Sequence, residues 1–186
     1  MHVFFKNLKH LDQYIIHFGG LKDGIHNYQF EVDDRFFGEF ELSEVRAGKF
    51  KINVLLDKKP RLMVLKFEID GIADLICDRC LDVLHLPVSF TGDLYVKYCQ
   101  ETLERIDEIL VLSYSENEIN ISQFIYESIN LSIPLKRIHP DDENGNPKCN
   151  NDMLKIISKM SVTEEHKNNK DFDPRWKELQ KLVNNN

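Results

Sequence analysis

Phe50-Lys51-Ile52-Asn53-Val54-Leu55-Leu56, the break Asp57-Lys58-Lys59-Pro60, and then Leu65-Lys66-Phe67-Glu68-Ile69-Asp70 decide how this chain folds. Both runs alternate with a period of two, the signature of a strand buried on one face. Phe50, Ile52, Val54 and Leu56 share one side; Leu65, Phe67 and Ile69 oppose Lys66, Glu68 and Asp70. A short, charged, proline-bearing break between such runs reads as a hairpin loop. The two strands are therefore antiparallel neighbours.

Toward the N-terminus the pattern continues. Phe36 to Ser43 reads as a further strand, with Gly38, Phe40 and Leu42 on one side and Phe37, Glu39 and Glu41 on the other, followed by a turn near Ala47-Gly48. Tyr28 to Val32 alternates as a strand with one wet face, after turns at Gly19-Gly20 and Asp23-Gly24. A short apolar run, Tyr14 to Ile16, precedes them.

Toward the C-terminus, Val83 to Tyr98 is another strand region, with Pro87 marking an edge or bend. The acidic stretch from Glu101 to Glu118 reads as a solvated connection with Ile109 to Leu112 as a short strand inside it. One helix then stands out, over about 121–133. Asn120 is placed to cap it with Gln123 three residues on. Ile121, Phe124, Ile125, Ser128 and Ile129 form its buried stripe, and Pro134 ends it. Short loops between alternating strands favour a meander. The expected class is α+β: an antiparallel β-meander sheet or partly open barrel with one packed amphipathic helix and a flexible C-terminal tail. Residues 1–160 are expected to form one α+β domain. Residues 161–186 are expected to form a largely mobile tail, with a short docking helix begun by Asp173-Pro174.

Composition bounds the function. Hydrophobic residues at 42%, including 12 phenylalanines, supply a core, while the net charge of −7 is unlike a general nucleic-acid coat. Such binders draw their affinity from Lys and Arg on phosphates, so an RNA contact here is local or indirect. Apolar runs fall far short of the ~20 residues that span a bilayer, and the start lacks a secretory pattern. A cytoplasmic protein is expected, in which the four cysteines serve as thiols or metal ligands rather than as a disulfide framework. No nucleophile elbow, Walker loop or dinucleotide fingerprint appears, so no enzyme is expected.

The sharpest local feature is Cys77-Asp78-Arg79-Cys80, between two strand patterns. Two thiolates three positions apart on a turn converge on one metal ion, and zinc needs two ligands more. His85, Cys99, His139 and Cys149 are available; His139 and Cys149 lie in the loop after the helix, placed to close over the turn. A redox pair needs a helix after the motif to depress the first thiol's pKa. Leu81 to Pro87 reads instead as strand and turn, and nothing identifiable lowers Cys77. A zinc site, inert thiols and a redox pair all remain open readings of these residues.

Lys136, Arg137 and Lys148, with Lys155 and Lys159, are the residues for an RNA contact, although Asp141, Asp142, Glu143 and Asp152 offset them. Trp176, the only tryptophan, and Leu179 make an amphipathic turn suited either to docking on the core or to anchoring a partner.

In this order the pieces resemble the YceD family of large ribosomal RNA subunit accumulation proteins. The matching residues are Cys77-Asp78-Arg79-Cys80-Leu81, then Ile119 through Pro134, then Ile138-His139-Pro140 with Cys149, and last Asp173-Pro174-Arg175-Trp176-Lys177-Glu178-Leu179. The resemblance runs over about residues 14 to 182. The gap between His139 and Cys149 is longer than in many relatives. The resemblance implies a role in ribosome biogenesis in the bacterial cytoplasm, with ribosomal RNA or a pre-ribosomal particle as partner, reached through a protein. It implies no reaction.

Overall fold

A computed structural model describes residues 10–40, 43–99 and 109–161. The chain divides into two compact units, Met1–Lys148 and Cys149–Asn186. Of the tail expected over 161–186, all but Ser161 lies outside the described residues, Trp176 and Leu179 included.

The first unit is built on a five-stranded sheet in the order β2 (Gly24–Val32), β3 (Ala47–Lys58), β4 (Leu62–Ile76), β5 (Val83–Cys99), β6 (Ile109–Ser113). The first four strands are antiparallel neighbours in sequence order, as the alternation predicts. The central hairpin pairs Lys58 with Met63, and Lys59 N–H donates to the Leu62 carbonyl at 3.1 Å. β6 runs parallel to β5, which departs from a pure meander. Its alternation shows a strand but carries no direction. The sheet is open and mixed.

One sheet face is the core. Ile52, Val54, Leu56, Met63, Leu65, Phe67, Ile69 and Val96 are all at most 1% exposed. The other face carries Lys51, Asn53, Lys66, Glu68 and Asp70, all exposed. Among the described residues, Pro87 sits where β5 has no neighbour on its second side, since β6 reaches only Tyr95 to Cys99, so its missing N–H costs no ladder bond.

The core face is covered by α2 (Ser122–Leu131) and by a two-stranded sheet, β1 (Ile15–His17) with β7 (Glu118–Asn120). Ile125, Ser128 and Ile129 of α2 are buried, as the stripe predicts. Phe124 is only partly buried, its ring 4.5 Å from that of Phe67. The capping box does not form. Ile121 is the N-cap without a side-chain bond; Asn120 Oδ1 instead accepts from Ser122 N at 2.9 Å, and Gln123 Nε2 reaches Glu127.

The largest correction is at Phe36–Phe40, the first part of the strand expected over Phe36–Ser43; Glu41 and Leu42 lie outside the described residues. Residues Asp34–Gly38 are a short helix, α1, capped by Asp33, whose carboxylate accepts from Arg35 N at 3.0 Å. A strand would send Phe36 and Phe37 to opposite faces, yet both are 2% exposed, with Phe40 at 3%. The 36/37/40 spacing is one helical face, and the rings of Phe36 and Phe40 lie 5.1 Å apart. The turn expected at Ala47-Gly48 is likewise absent, because these residues begin β3.

In the second unit the described residues form a further helix, α3 (Asn151–Met160), which the sequence reading does not foresee. Asn150 caps it, accepting from Asp152 N and Met153 N. Lys155 pairs with Asp152 on its own helix at 3.0 Å. No described helix is long and apolar enough to cross a membrane.

Candidate metal centre

The Cys77–Cys80 turn links β4 to β5. Leu81 N donates to the Cys77 carbonyl at 3.0 Å, closing one helical turn, and Cys77 N donates to the Asp82 carbonyl at 2.9 Å. Leu81 takes φ 62°, a left-handed conformation that side chains disfavour, and so reverses the chain immediately after the second cysteine. No helix follows, as the sequence reading expects.

His139 arrives on the segment after α2, and backbone bonds fix its approach. Asp78 N donates to the Arg137 carbonyl at 2.7 Å, while Arg137 N donates to Asp78 Oδ2 at 2.7 Å. The Arg137 guanidinium reaches Glu44 Oε2 at 2.6 Å and lies 3.6 Å from Asp78 Oδ1. A residue inside the turn thus holds the segment that carries the histidine. His139 Nε2 donates to the Val83 carbonyl at 3.0 Å. That bond places the ring proton on Nε2 and leaves Nδ1 as the electron-pair donor, the usual way a second bond orients a ligating imidazole. Nδ1 lies 3.4 Å from Cys80 Sγ.

The donor atoms of Cys77, Cys80, His139 and Cys149 all lie within 4.8 Å of one another. All three sulfurs are buried and none is in a disulfide. A sulfur and a nitrogen sharing one tetrahedral zinc are about 3.5 Å apart, given Zn–S of ~2.3 Å and Zn–N of ~2.0–2.1 Å. The Cys80–His139 separation fits that, and three thiols with one imidazole are a zinc-type donor set. The longer gap before Cys149 is folded away. Asp141 bridges to Pro147, Asp142 Oδ1 accepts from Asn144 N and Asn146 N, and Lys148 N meets the Pro140 carbonyl at 3.4 Å.

Burial works to raise the Cys77 thiol, yet its pKa falls to about 6, because the backbone N–H groups of Cys80, Arg79 and His139 and the Cys80 side chain hydrogen-bond the sulfur. The expectation that nothing lowers this thiol is therefore corrected. The turn's own amides do what a helix N-terminus does in redox motifs.

The remaining candidates fall elsewhere. His85 pairs with Asp74 across the β4–β5 ladder and is not among the four donors. The Cys99 side chain lies outside the description. Lys136 and Lys148 are exposed, whereas Arg137 is committed to Glu44 and Asp78. Sequence reasoning missed that clamp. Glu44 stands 93 residues from Arg137, and no local pattern joins them.

An open α+β sheet with a Cys/His group at one hairpin defines a class of protein with a possible metal-binding centre. The chain belongs to the YceD family, described as "Large ribosomal RNA subunit accumulation protein YceD", whose pattern matches residues 65–183. That match begins inside β4 and takes in all four donors. Among curated proteins and solved structures nothing matches the chain.

Proposed function

We propose that this chain is a non-catalytic factor for accumulation of large-subunit ribosomal RNA in the bacterial cytoplasm, its hairpin locked by a structural zinc ion. The family match over residues 65–183 carries the ribosomal half of this reading. The convergence of Cys77, Cys80, His139 and Cys149 supports the zinc half. Zinc in such a site acts as a cross-link, contributing folding energy rather than chemistry. The residues around it serve that end. Val83 orients the imidazole, Asp78 and Arg137 dock the segment that carries it, and the amides on Cys77 favour the thiolate that a metal ligand requires.

With a net charge of −7, general affinity for RNA is weak. Recruitment runs through a protein partner, with Trp176 and Leu179 as the anchor, and Lys136 and Lys148 make at most a few phosphate contacts. In a deletion strain, sucrose gradients should show a deficit of large subunits with the small subunit comparatively spared. Trp176→Ala should fail to restore the ratio. Normal subunit ratios in the deletion strain would remove the ribosomal reading, and full rescue by Trp176→Ala would remove the anchor.

A second reading, a thiol oxidoreductase, is favoured by the low Cys77 pKa. Against it, both sulfurs of the pair are at most 1% exposed, which denies a substrate disulfide its line of approach. Insulin reduction with a dithiol donor separates the two, and thioredoxin-like turnover would favour the oxidoreductase.

A further inference from the structure

Helix α3 is ten residues long, and none of them is buried. Ile156, Ile157 and Met160 are 44%, 40% and 80% exposed. A helix this short is marginal in water, because its first turn fixes several residues for one hydrogen bond, and proteins normally make up the deficit by burying an apolar face. Helix α2 does so, with Ile125 and Ile129 wholly buried. α3 does not. Among the described residues from 149 to 161, Cys149 alone is buried. Its thiol is also one of the four clustered donors.

The start of α3 is built directly onto this residue. Asn150 follows Cys149, and its Oδ1 accepts from Asp152 N at 3.0 Å and from Met153 N at 3.4 Å. The Asn150 carbonyl accepts the first bond of the helix, from Leu154 N at 3.0 Å. The groups that begin the helix thus hang one peptide bond from a metal donor.

We propose that metal coordination by Cys149 nucleates α3, so that the helix forms when the four-donor centre is loaded and reverts toward coil when it is emptied. The proposal rests on the metal-centre reading of Cys77, Cys80, His139 and Cys149. A helix nucleus is disfavoured by a factor on the order of 10³, because the backbone must be fixed before bonds are gained. Coordination fixes the residue before the cap and lowers that cost at the end where the cap already stands. Met153, Ile156, Ile157 and Met160 recur at helical spacing. The metal state therefore decides whether they stand as one apolar stripe or lie scattered along a coil.

Backbone NMR of the full chain, with chelator and with one equivalent of zinc, tests this, while a competing chromophoric chelator measures zinc uptake separately. On zinc removal the amides of Leu154 to Met160 should lose about tenfold or more of their exchange protection, and their Cα shifts should move to coil values. The α2 amides, held by the core, should keep theirs. Two glycines inserted between Cys149 and Asn150 should still allow one zinc per chain but hold α3 as coil in both states, since glycine transmits little backbone constraint. Should the insertion impair zinc uptake, Cys149→Ser, saturated with zinc through the other three donors, should likewise leave α3 as coil. No zinc uptake by the unaltered chain removes the metal centre and the proposal with it. Zinc uptake with α3 equally protected in both states overturns the coupling alone, as does an α3 that still follows zinc in either variant. Loss of α2 together with α3 on chelation also overturns it, since the metal would then hold the whole fold rather than one helix.

Discussion

Removing the Asp78 carboxylate by Asp78→Ala should cost stability twice, once in the metal-free protein and again in the zinc-loaded one. Asp78 Oδ2 accepts from Arg137 N at 2.7 Å, a bond to an ionised acceptor. Such bonds contribute ~1.5–3 kcal/mol when sheltered. The Asp78 side chain is 42% exposed, so screening brings the expected loss in the metal-free protein to ~1–2 kcal/mol. The second loss arises because the same bond docks the segment that carries His139. Partners of this kind typically alter metal affinity by ~10–100-fold, or ~1.4–2.7 kcal/mol. Urea unfolding of the wild type and Asp78→Ala, each with chelator and with saturating zinc, gives four free energies. Linkage makes the difference between the two losses equal to the change in zinc affinity, which a competing chromophoric chelator measures independently. Equal losses with and without zinc would refute the positioning role and leave Asp78 as an ordinary turn residue.

Ile125, wholly buried on α2, should lose ~2–5 kcal/mol on truncation to alanine, and the partly buried Phe124 less than its usual ~3–5 kcal/mol; chemical denaturation ranks the two, and a larger loss at Phe124 would misplace the stripe. Gly71→Ala should destabilise by ~1–3 kcal/mol or more, because a Cβ there would lie 2.2 Å from the Lys49 carbonyl and 2.7 Å from Phe50 Cα, both backbone; an unchanged melting temperature would contradict this. The Cys77 thiol, with a folded pKa of about 6 against an ordinary 9.0, binds fewer protons folded than unfolded between those values. Stability of the metal-free protein should therefore rise from pH 6 to 9 and fall as pH drops through 6, and Cys77→Ser should flatten that slope in denaturation curves.

Strands β3 to β5 were legible in sequence because one sheet face is dry and the other wet, which writes a period of two directly into the residues. The Cys77–Cys80 turn and its two distant partners were legible as residue types with suitable spacing. What stayed hidden is non-local. The direction of β6 depends on how the chain crosses between Cys99 and Ile109, which alternation cannot encode. The clamp joins Glu44, Asp78 and Arg137 through tertiary contact alone. Two helices do leave local signals. Asp33 caps a 36/37/40 aromatic face whose sequence also fits alternation, and Asn150 ahead of Met153, Ile156, Ile157 and Met160 is submerged in loop composition.

The hairpin between Pro140 and Lys148 carries a consequence for engineering. Its base is clasped by the Asp141–Pro147 bridge and the Lys148–Pro140 bond, while Glu143 to Asn146 stand exposed at its tip. Closure entropy grows slowly with length, ~0.6 kcal/mol per doubling. The tip is therefore a splice point: an epitope or a fluorophore-bearing peptide inserted between Asn144 and Gly145 would leave His139 where it is.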